Sequence, residues 1–385
     1  MRPDQANILV VDDSEANRDV LSRRLTRQGH HVEVAEDGRE ALELMKDQDF
    51  DLILLDIMMP EMNGFQVLEH LHADPRLRHV PVIVVSALDD TDSIVKCIQM
   101  GAEDHLTKPI NSVILRARVD ACLEKKWLRD QEQAYLAAIR REMELGRQIQ
   151  ADFLPSDLPQ PPGWQIATFF HPAYEVAGDF FDVFTLPDER LGLILADVSG
   201  KGVGAALFMA LTRSLLRAFS DQNTASSADT LRAVSLTNNY IIRHHQHQAH
   251  MFVTLFFGVL GLDTGTLMYV NAEHLPPVLI RSSNARETLD PTGPLVGVTL
   301  DIPFQIKQTR LDPGDILLAF TDGITEATDP DGHLFGMERL LSTLAQPAPS
   351  AGALLELIEA GVRAHVANGE FSDDVAMLAA RRTPL

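Results

Sequence analysis

Residues 52–65 read LILLDIMMPEMNGF, and the fold prediction for the first third of the chain starts from this stretch. A short apolar run of strand length ends at Asp56, and a segment with helical spacing follows it. The same alternation of apolar runs and amphipathic segments extends over residues 1–121. It predicts an α/β domain with a doubly wound, five-stranded parallel sheet, whose site lies at the carboxyl ends of the strands.

Polar residues stand at the ends of several of these apolar runs. They are Asp12, Asp13, Asp56, Ser86 and Lys108. Three carboxylates at one sheet edge repel one another unless a divalent cation neutralises them, and Mg²⁺ prefers such oxygen ligands. A lysine and a hydroxyl can bind the remaining oxygens of a phosphoryl group, which leaves Asp56 as the nucleophile. An Asp pair alone is more often a helix cap, but the ordered set favours a phosphoryl-transfer site.

The motifs ILVVDD, LILLDIMMPEMNGF, VIVVSA and HLTKPI resemble the response-regulator receiver family over residues 7–120. This resemblance implies phosphotransfer from a histidine kinase onto Asp56. The implied Mg²⁺ ligands are Asp13, Asp56 and the Met58 carbonyl, supported by Asp12, and the implied phosphoryl contacts are Ser86 and Lys108. The switch aromatic of the family is His105 here, which puts the usual ring packing in question.

Residues 122–154 form a polar stretch without proline and with a single glycine, Gly146. An apolar stripe at helical spacing, which includes Leu128, Tyr135, Ile139 and Ile149, predicts a linker helix with coiled-coil character. We expect a homodimer through this helix, because its stripe needs a partner. A monomeric linker helix packed on its neighbours stays open. The proline-rich stretch 155–162 marks the start of the third segment, residues 155–385.

The third segment alternates many strand-like runs with a few helices, which predicts an α+β sandwich of antiparallel sheets flanked by helices. Acidic residues flank its apolar runs: Asp179, Asp182, Asp197, Asp322, Asp373 and Asp374. Carboxylates without a histidine or cysteine cluster favour Mn²⁺ or Mg²⁺ over zinc. Two such ions can bind a phosphate and the attacking water, so no serine or cysteine nucleophile is required. Asp-Gly alone is more often a turn, but the full set favours a metal site.

The motifs VAGDFFDVF, ADVSGKGVGAAL, NAEHLPP, FTDGITEA and FSDDVAML resemble the metal-dependent protein phosphatases of the protein phosphatase 2C fold, in the SpoIIE/RsbU-like branch. The match spans about residues 140–382. It implies two bound ions, Mn²⁺ or Mg²⁺, and a phosphorylated anti-sigma-factor antagonist as substrate. The implied ligands are Asp179, Asp197 and the Val198 carbonyl at one ion and Asp197, Asp322 and Asp373 at the other. Supporting roles fall to Asp182, Gly200, Gly202 and Asp374.

Two positions depart from the phosphatase pattern. The usual NAGH motif reads NAEH, so Glu273 stands where glycine takes a positive φ without strain. The DDxT pattern reads DDVA, so Ala376 lacks the hydroxyl. A histidine-rich stretch (His244, His245, His247, His250) has no ordered ligand spacing, and we expect a solvated helix end there.

The net charge of −22 disfavours binding to nucleic acids and to anionic membranes. Two cysteines, no N-terminal apolar core and no apolar run long enough to cross a bilayer predict a cytoplasmic protein. No basic helix-turn-helix follows the first segment, which disfavours a DNA-binding regulator. Two functions stay open: a phosphatase controlled by Asp56, and a phosphatase-like binding module that captures a partner without turnover.

Overall fold

The computed structural model describes residues 5–87, 91–245, 251–367 and 371–383. The chain divides into two compact units, Met1–Ile139 and Arg140–Leu385. This division falls inside the stretch 122–154 that the sequence marks as a linker. The predicted boundaries of the three segments stay predictions.

The first unit is an α/β domain with one parallel sheet, as the sequence predicts. Its strands are β1 (Asn7–Val11), β2 (His31–Ala35), β3 (Leu52–Asp56), β4 (Val82–Ser86) and β5 (Asp104–Thr107). Its helices are α1 (Glu15–Arg27), α2 (Gly38–Asp47), α3 (Gly64–Ala73), α4 (Thr91–Gln99) and the start of α5 (Ser112–Phe153). The strand order is β2-β1-β3-β4-β5, and all the paired strands run parallel.

The apolar strands of this sheet are buried on both faces. In β3, Ile53 and Leu55 pack with residues of α2, α3 and α4 on one face. Leu52 and Leu54 pack with residues of α1 and α5 on the other face. Because helices cover both faces, the strands are continuously apolar rather than alternating.

Helix α5 is 42 residues long and crosses the division between the two units without interruption. The sequence predicts a linker helix within residues 122–154, and in the structure this helix is continuous with the receiver helix that follows β5. Leu115 and Val119 of its first turns are buried against the parallel sheet. Further along, Leu128 and Tyr135 are exposed, as a helix that lacks a partner on one side would leave them.

The second unit contains two five-stranded antiparallel sheets. The strands of one sheet are β7 (Phe180–Leu186), β8 (Arg190–Val198), β9 (Val253–Gly261), β10 (Thr266–Ala272) and β13 (Lys307–Arg310). The strands of the other are β6 (Trp164–His171), β11 (Val278–Ile280), β12 (Arg286–Thr288), β14 (Ile316–Phe320) and β15 (Val375–Arg382). The helices are α6 (Val203–Gln222), α7 (Ser227–Leu231), α8 (Ala233–His245), α9 (Asp322–Thr325), α10 (Gly336–Thr343) and α11 (Ala351–Val366). The sheet orders are β13-β10-β9-β8-β7 and β12-β11-β14-β15-β6.

The two sheets pack face to face, and helices cover their outer faces. Alternate residues of β8 show this: Leu193 and Leu195 lie in the core between the sheets, and Ile194 and Ala196 pack with residues of α6 and α8. A separate core joins the second sheet to α10 and α11. The predicted α+β sandwich of antiparallel sheets flanked by helices is therefore confirmed.

Helix α6 has 20 residues with a mean hydropathy of 1.2, which is long and apolar enough for a membrane span by length and composition alone. It is not an uninterrupted apolar run, because Arg213 and Arg217 lie within it. A core helix passes the same test, and α6 contributes Ala205, Met209 and Leu216 to the core under the first sheet. Such a helix is weak evidence for a membrane span. The histidine-rich stretch begins at the end of α8, and His247 and His250 lie outside the described residues.

Candidate functional site

The first candidate site lies at the carboxyl ends of the parallel strands. Asp12 follows β1 and Asp56 ends β3, and their carboxylate oxygens lie within 4.8 Å of one another and of Asp13. Lys108 follows β5, and its Nζ donates to Asp12 Oδ2 at 2.8 Å and to Asp56 Oδ2 at 2.5 Å. The topology therefore brings together three acids and a lysine that are far apart in the sequence. Such a group of carboxylates suits a hard cation such as Mg²⁺.

Asp56 is almost completely buried. Burial raises its pKa, while hydrogen bonds from Lys108 and from the backbone N–H of Met58 oppose this rise. For Lys108, burial alone lowers the pKa, but the two carboxylates reverse this and leave it raised. Asp56 thus faces cationic and N–H donors that stabilise its charged, nucleophilic form.

Asp12 is held by partners that the sequence did not single out. Asn17 Nδ2 donates to Asp12 Oδ1 at 3.0 Å, and the Ser14 backbone N–H donates to the same oxygen at 3.0 Å. Arg18 donates to the Asp12 carbonyl at 2.6 Å. The only available signal is the spacing of five and six residues, which places Asn17 and Arg18 on the first turns of α1.

Ser86 ends β4, one position beyond the residue that pairs with Asp56. His105 lies in β5, and its side chain is partly exposed with Nδ1 3.9 Å from Asp104 Oδ1. A small cavity lies between these residues, lined also by Phe65 and Cys97. The predicted switch position thus borders this cavity.

The second candidate site lies at strand ends of the two antiparallel sheets. Asp179 immediately precedes β7, and Asp197 is the penultimate residue of β8. In the other sheet, Asp322 opens α9 just after β14, and Asp373 lies two residues before β15. Burial raises the pKa of Asp179, Asp197 and Asp322, and the charge of another acid of the set adds to each rise.

Asp179 is the most buried member of this acid set. Burial raises its pKa well above the usual range, and Asp197 adds to the rise, while a hydrogen bond with Thr321 opposes it. Its Oδ2 is buried and has no hydrogen-bond partner among the described residues. A buried carboxylate oxygen without a donor, beside a second carboxylate, fits a divalent cation with oxygen ligands.

Burial also raises the pKa of Asp322, to about 6. Three neighbouring carboxylates contribute to this rise: Asp197, Glu326 and Asp373. Glu326 was not among the predicted site residues, although it lies four positions after Asp322, where a helical turn returns to the same side. It adds a further negative charge to the candidate metal site.

The neighbours Asp373 and Asp374 differ in their contacts. Asp373 Oδ2 lies 2.8 Å from Lys201 Nζ. Asp374 is buried and accepts hydrogen bonds from the backbone N–H groups of Ala173 at 2.8 Å and Gly178 at 2.7 Å. Asp374 thus fixes the segment that leads to Asp179. Among Asp179, Asp197, Asp322, Asp373 and Asp374, no three place carboxylate oxygens within 4.8 Å of one another.

Asp182 lies in β7 and has separate partners. Its Oδ2 lies 3.1 Å from Arg213 and 3.8 Å from Arg217, both on α6. Burial raises its pKa, and the two arginines oppose the rise. Asp182 is not among the groups that shift the pKa of Asp179 or Asp197. Its contacts suit a structural role that ties β7 to α6.

A glycine-containing loop connects β8 to α6. Gly200 and Gly202 have φ values of 93° and 75°, which favour glycine. On the other side of the site, a Cβ on Gly178 would lie 2.9 Å from the Val198 carbonyl oxygen. Glycine at 178 therefore lets the segment before Asp179 approach the Val198 carbonyl, which is a predicted metal ligand.

The structure describes the backbone and contacts at the two positions that depart from the phosphatase pattern. Glu273 adopts a φ of 52°, a conformation that disfavours a side chain. His274 is buried with Nδ1 2.8 Å from Thr254 Oγ1, and burial lowers its pKa to about 4. Ala376 lacks a hydroxyl, but its backbone N–H donates to the hydroxyl of Thr321 at 2.9 Å. Thr321 directly follows the neighbouring strand β14.

Two family models match this chain. The model described as Stage II sporulation protein E (SpoIIE) matches residues 187–383, which is more than half of the chain. The model described as Response regulator receiver domain matches residues 8–120. The receiver match lies in the first unit and the SpoIIE match in the second, where it covers Asp197, Asp322 and Asp373 and begins after Asp179.

Curated relatives match parts of the chain. Protein IcfG of Synechocystis sp. is 41% identical over 265 residues, which cover 63% of this chain and 42% of that protein. Response regulator PleD of Caulobacter vibrioides is 43% identical over 136 residues, covering 35% of this chain and 30% of that protein. The chain thus spans less than half the length of each of these two relatives.

Solved structures resemble the second unit. The SiaA-PP2C domain of Pseudomonas aeruginosa aligns with a TM-score of 0.54 at 19% identity, covering 64% of this chain and 98% of that one, which shows the fold. The RsbU and RsbW domains of Rv1364c from Mycobacterium tuberculosis align with a TM-score of 0.50 at 25% identity, covering 60% and 64%. The chain belongs to the SpoIIE family, and its protein phosphatase 2C-like domain follows an N-terminal response-regulator receiver domain.

Proposed function

We propose that the chain is a response regulator in which phosphorylation of Asp56 controls a metal-dependent protein serine/threonine phosphatase. The observation that carries the proposal is the acid set at the ends of two sheets, with Asp179 buried and Asp197, Asp322 and Asp373 partly buried, in a chain that also has a receiver acid site. Asp179 supports it most directly, because its buried Oδ2 has no hydrogen-bond partner among the described residues. A cytoplasmic location is part of the proposal.

In the receiver, Asp56 would take a phosphoryl group from a histidine kinase. The Asp56 carboxylate oxygen forms the new O–P bond as the P–N bond of phosphohistidine breaks. Mg²⁺ would be held by Asp13, Asp56 and the Met58 carbonyl, with Asp12 in support. Lys108 is already within hydrogen-bond distance of Asp56 and would turn to the phosphoryl oxygens, and Ser86 would take another.

In the phosphatase domain, two Mn²⁺ or Mg²⁺ ions would be held by Asp179, Asp197, Asp322, Asp373 and the Val198 carbonyl. When bound, the ions supply Lewis-acid stabilisation of the phosphoryl group and lower the pKa of the attacking water. Asp374 keeps the segment before Asp179 in place through two backbone N–H groups. Thr321 hydrogen-bonds to Asp179 and orients it.

The proposed substrate is phosphoserine or phosphothreonine on a protein, with an anti-sigma-factor antagonist as the specific expectation. Support for a phosphoprotein comes from the likeness to the RsbU and RsbW domains of Rv1364c, which is a likeness at 25% identity. The site is open to solvent at the loop after β8, where Cβ atoms added at Gly200, Gly202 and Gly204 would meet nothing within 4 Å. A protein surface can therefore approach the acids from that side.

Helix α5 offers a route for control. Near its end, Gln150 is buried and donates through Nε2 to the Ala177 carbonyl at 2.7 Å. Its Oε1 accepts from the Ala177 N–H at 2.9 Å. Ala177 lies two residues before Asp179, so a shift or rotation of α5 would move this ligand. We propose that phosphorylation activates the phosphatase through this connection, by ordering or rotating the helix.

The proposal is tested with the full chain in a Mn²⁺-dependent assay on a phosphoserine peptide, with and without acetyl phosphate as phosphodonor. We expect hydrolysis that increases when the phosphodonor is present, and no increase in Asp56→Ala. Absence of hydrolysis in both states would refute the enzyme. A response that survives in Asp56→Ala would refute control through Asp56.

A binding module without turnover is the second candidate. Two observations favour it. Asp373 is paired with Lys201, and no three acids of this set place carboxylate oxygens within 4.8 Å of one another. The same assay separates the two functions when it is combined with a binding measurement. Binding of the phosphopeptide without release of phosphate, at saturating Mn²⁺, would favour the binding module.

A further inference from the structure

Lys201 lies in the loop between β8 and α6 and contacts the second acid set directly. Its Nζ is 2.8 Å from Asp373 Oδ2 and donates to the Ser372 carbonyl at 3.2 Å. Of the basic side chains in the described ranges, Lys201 alone lies within ion-pair distance of a carboxylate among Asp179, Asp197, Asp322 and Asp373. It is therefore the ammonium group nearest to the reacting centre of the proposed phosphatase.

The surroundings of Lys201 leave it free to change partners. Its side chain is 48% exposed, so the ion pair with Asp373 is not enclosed by the core. Gly200 and Gly202 flank it at positive φ, and an added Cβ at either would meet nothing within 4 Å. The Tyr174 ring lies 5.5 Å from Nζ and provides an aromatic face on the same side.

The charges of the site argue for such a change of partner. With the proposed ions bound, Asp373 serves as a metal ligand, and its charge is compensated by the metal instead of by Lys201. A phosphoryl dianion then adds negative charge to a site of four carboxylates and two divalent ions. A nearby ammonium group would stabilise that charge through a charge-assisted hydrogen bond.

We propose that Lys201 binds the phosphoryl group of the substrate, releasing Asp373 to the metal. This inference rests on the proposed phosphatase function and adds a substrate-contacting residue to it. No covalent step is assigned to Lys201: it contributes binding and charge only. Its contribution is about 10- to 100-fold in phosphate affinity, the usual range for a hydrogen bond between charged groups.

The simpler reading is that Lys201 only neutralises Asp373. The two readings differ in the phosphate affinity that they predict for Lys201→Met. If Lys201 binds phosphate, the variant loses phosphate affinity while its Mn²⁺ affinity is kept or increased. If Lys201 only neutralises Asp373, Mn²⁺ affinity increases and phosphate affinity does not change. Lys201→Arg keeps the charge and should retain much of the phosphate affinity.

The experiment is a calorimetric titration of the full chain, first with Mn²⁺ and then, at saturating Mn²⁺, with inorganic phosphate. We expect phosphate affinity to fall about 10- to 100-fold in Lys201→Met, with a matching rise in KM for a phosphopeptide. Lys307→Met is the matched control, because Lys307 is exposed on β13 and belongs to neither acid set. Melting curves of the variants verify folding, and Lys201→Gln serves as a second neutral variant.

Equal phosphate affinity in wild type, Lys201→Met and Lys201→Gln would overturn the proposal, as would a wild-type protein that binds Mn²⁺ but no phosphate. These results leave the proposed phosphatase untouched if the wild type still hydrolyses the phosphopeptide. Absence of both Mn²⁺ binding and hydrolysis in the wild type is a different outcome. It would refute the phosphatase itself, and the Lys201 proposal with it.

Discussion

Asp373 and Asp374 are adjacent in the sequence, yet their contacts assign them different tasks. Asp374 accepts two backbone N–H groups and is buried, so its charge is used to hold a loop. Asp373 is more exposed, and it pairs with the flexible side chain of Lys201. A carboxylate that can exchange a lysine for a metal suits ligand binding, and one bonded to backbone N–H groups does not. The metal ligand of this pair is therefore Asp373 in our proposal.

Asp322→Asn is expected to abolish phosphatase turnover. The change keeps the size of the side chain but removes the charge from a proposed metal ligand. We expect a loss of at least about 100-fold, because changes to partners of metal ligands alone cost about 10- to 100-fold. Phosphorylation of Asp56 should be unaffected. Steady-state hydrolysis measures the turnover, and labelling with acetyl phosphate measures the phosphorylation of Asp56. Asp312→Asn, at an exposed position, is the control. Turnover that persists in Asp322→Asn would exclude this metal assignment.

The raised pKa of Asp322 predicts how metal-free protein responds to pH. Burial raises this pKa from 3.8 to about 6, so the folded state prefers the protonated carboxyl. Its contribution to stability is present below pH 3.8 and is lost as pH rises through about 6. In EDTA, we expect wild type to lose stability relative to Asp322→Asn over this pH range. Chemical unfolding at several pH values measures the difference.

Added Mn²⁺ provides the check on this pH effect. Above pH 6, a bound cation would compensate the ionised acids, so Mn²⁺ should raise the melting temperature of the wild type strongly and that of Asp322→Asn much less. A stability difference between wild type and Asp322→Asn that does not change with pH in EDTA would show that Asp322 ionises as freely in the folded state as in the unfolded chain.

At the scale of elements, the last turns of α5 hold the segment that carries Asp179. Gln150→Ala removes both hydrogen bonds to Ala177 and leaves a buried backbone N–H and C=O without partners. We expect Mn²⁺ affinity to fall by about 10-fold, in line with the loss of a residue that positions a ligand. Gln148→Ala is the matched control, since Gln148 is exposed and bonds only to Glu144 on the same helix. Calorimetry measures the Mn²⁺ affinity of both variants. If Gln150→Ala binds Mn²⁺ as tightly as Gln148→Ala, Gln150 does not position the metal ligand and does not take part in control.

The middle of α5 is where control can be separated from catalysis. Ala134 is exposed, so Ala134→Pro breaks the helix without disturbing either core, at about 3 kcal/mol of helix stability. We expect basal Mn²⁺-dependent hydrolysis and Asp56 phosphorylation to persist, and the response of hydrolysis to acetyl phosphate to be lost. Ala134→Ser is the control that keeps the helix. If Ala134→Pro still responds, the signal does not pass through a continuous α5.

The elements themselves were largely predictable, because apolar runs that end in acids indicate strand ends in both units. The contacts between distant residues were not. Nothing near Lys201 in the sequence indicates Asp373, and nothing near Gln150 indicates Ala177, since tertiary packing alone brings them together. Helical spacing in the sequence predicts one helix over residues 227–244, but the structure has two there, α7 and α8, separated at Arg232. Local helical spacing continues through that position, so sequence periodicity could not reveal the break.

At the scale of the whole molecule, the exposed apolar residues of α5 bear on assembly. Leu128, Tyr135 and Ile149 share one heptad register with Glu142, and the three apolar side chains are 53%, 68% and 54% exposed. A two-stranded coiled coil has two apolar positions in each heptad, and this row of residues supplies one of them. An acid within the seam limits the registers that fit. This pattern supports a homodimer in which two copies of α5 pair along their length.

The dimer is tested by sedimentation equilibrium of the full chain, with and without acetyl phosphate. We expect wild type to sediment as a dimer and the double variant Leu128→Glu, Tyr135→Glu to sediment as a monomer, because four added carboxylates would repel one another in the seam. Leu136→Glu introduces one carboxylate per copy, one position outside the heptad register, and should remain dimeric. If the double variant stays dimeric, another surface holds the copies together, and α5 transmits the signal as a single helix. If dimerisation and the response to acetyl phosphate are lost together while basal hydrolysis persists, then the receiver controls the phosphatase through the pairing of two α5 helices.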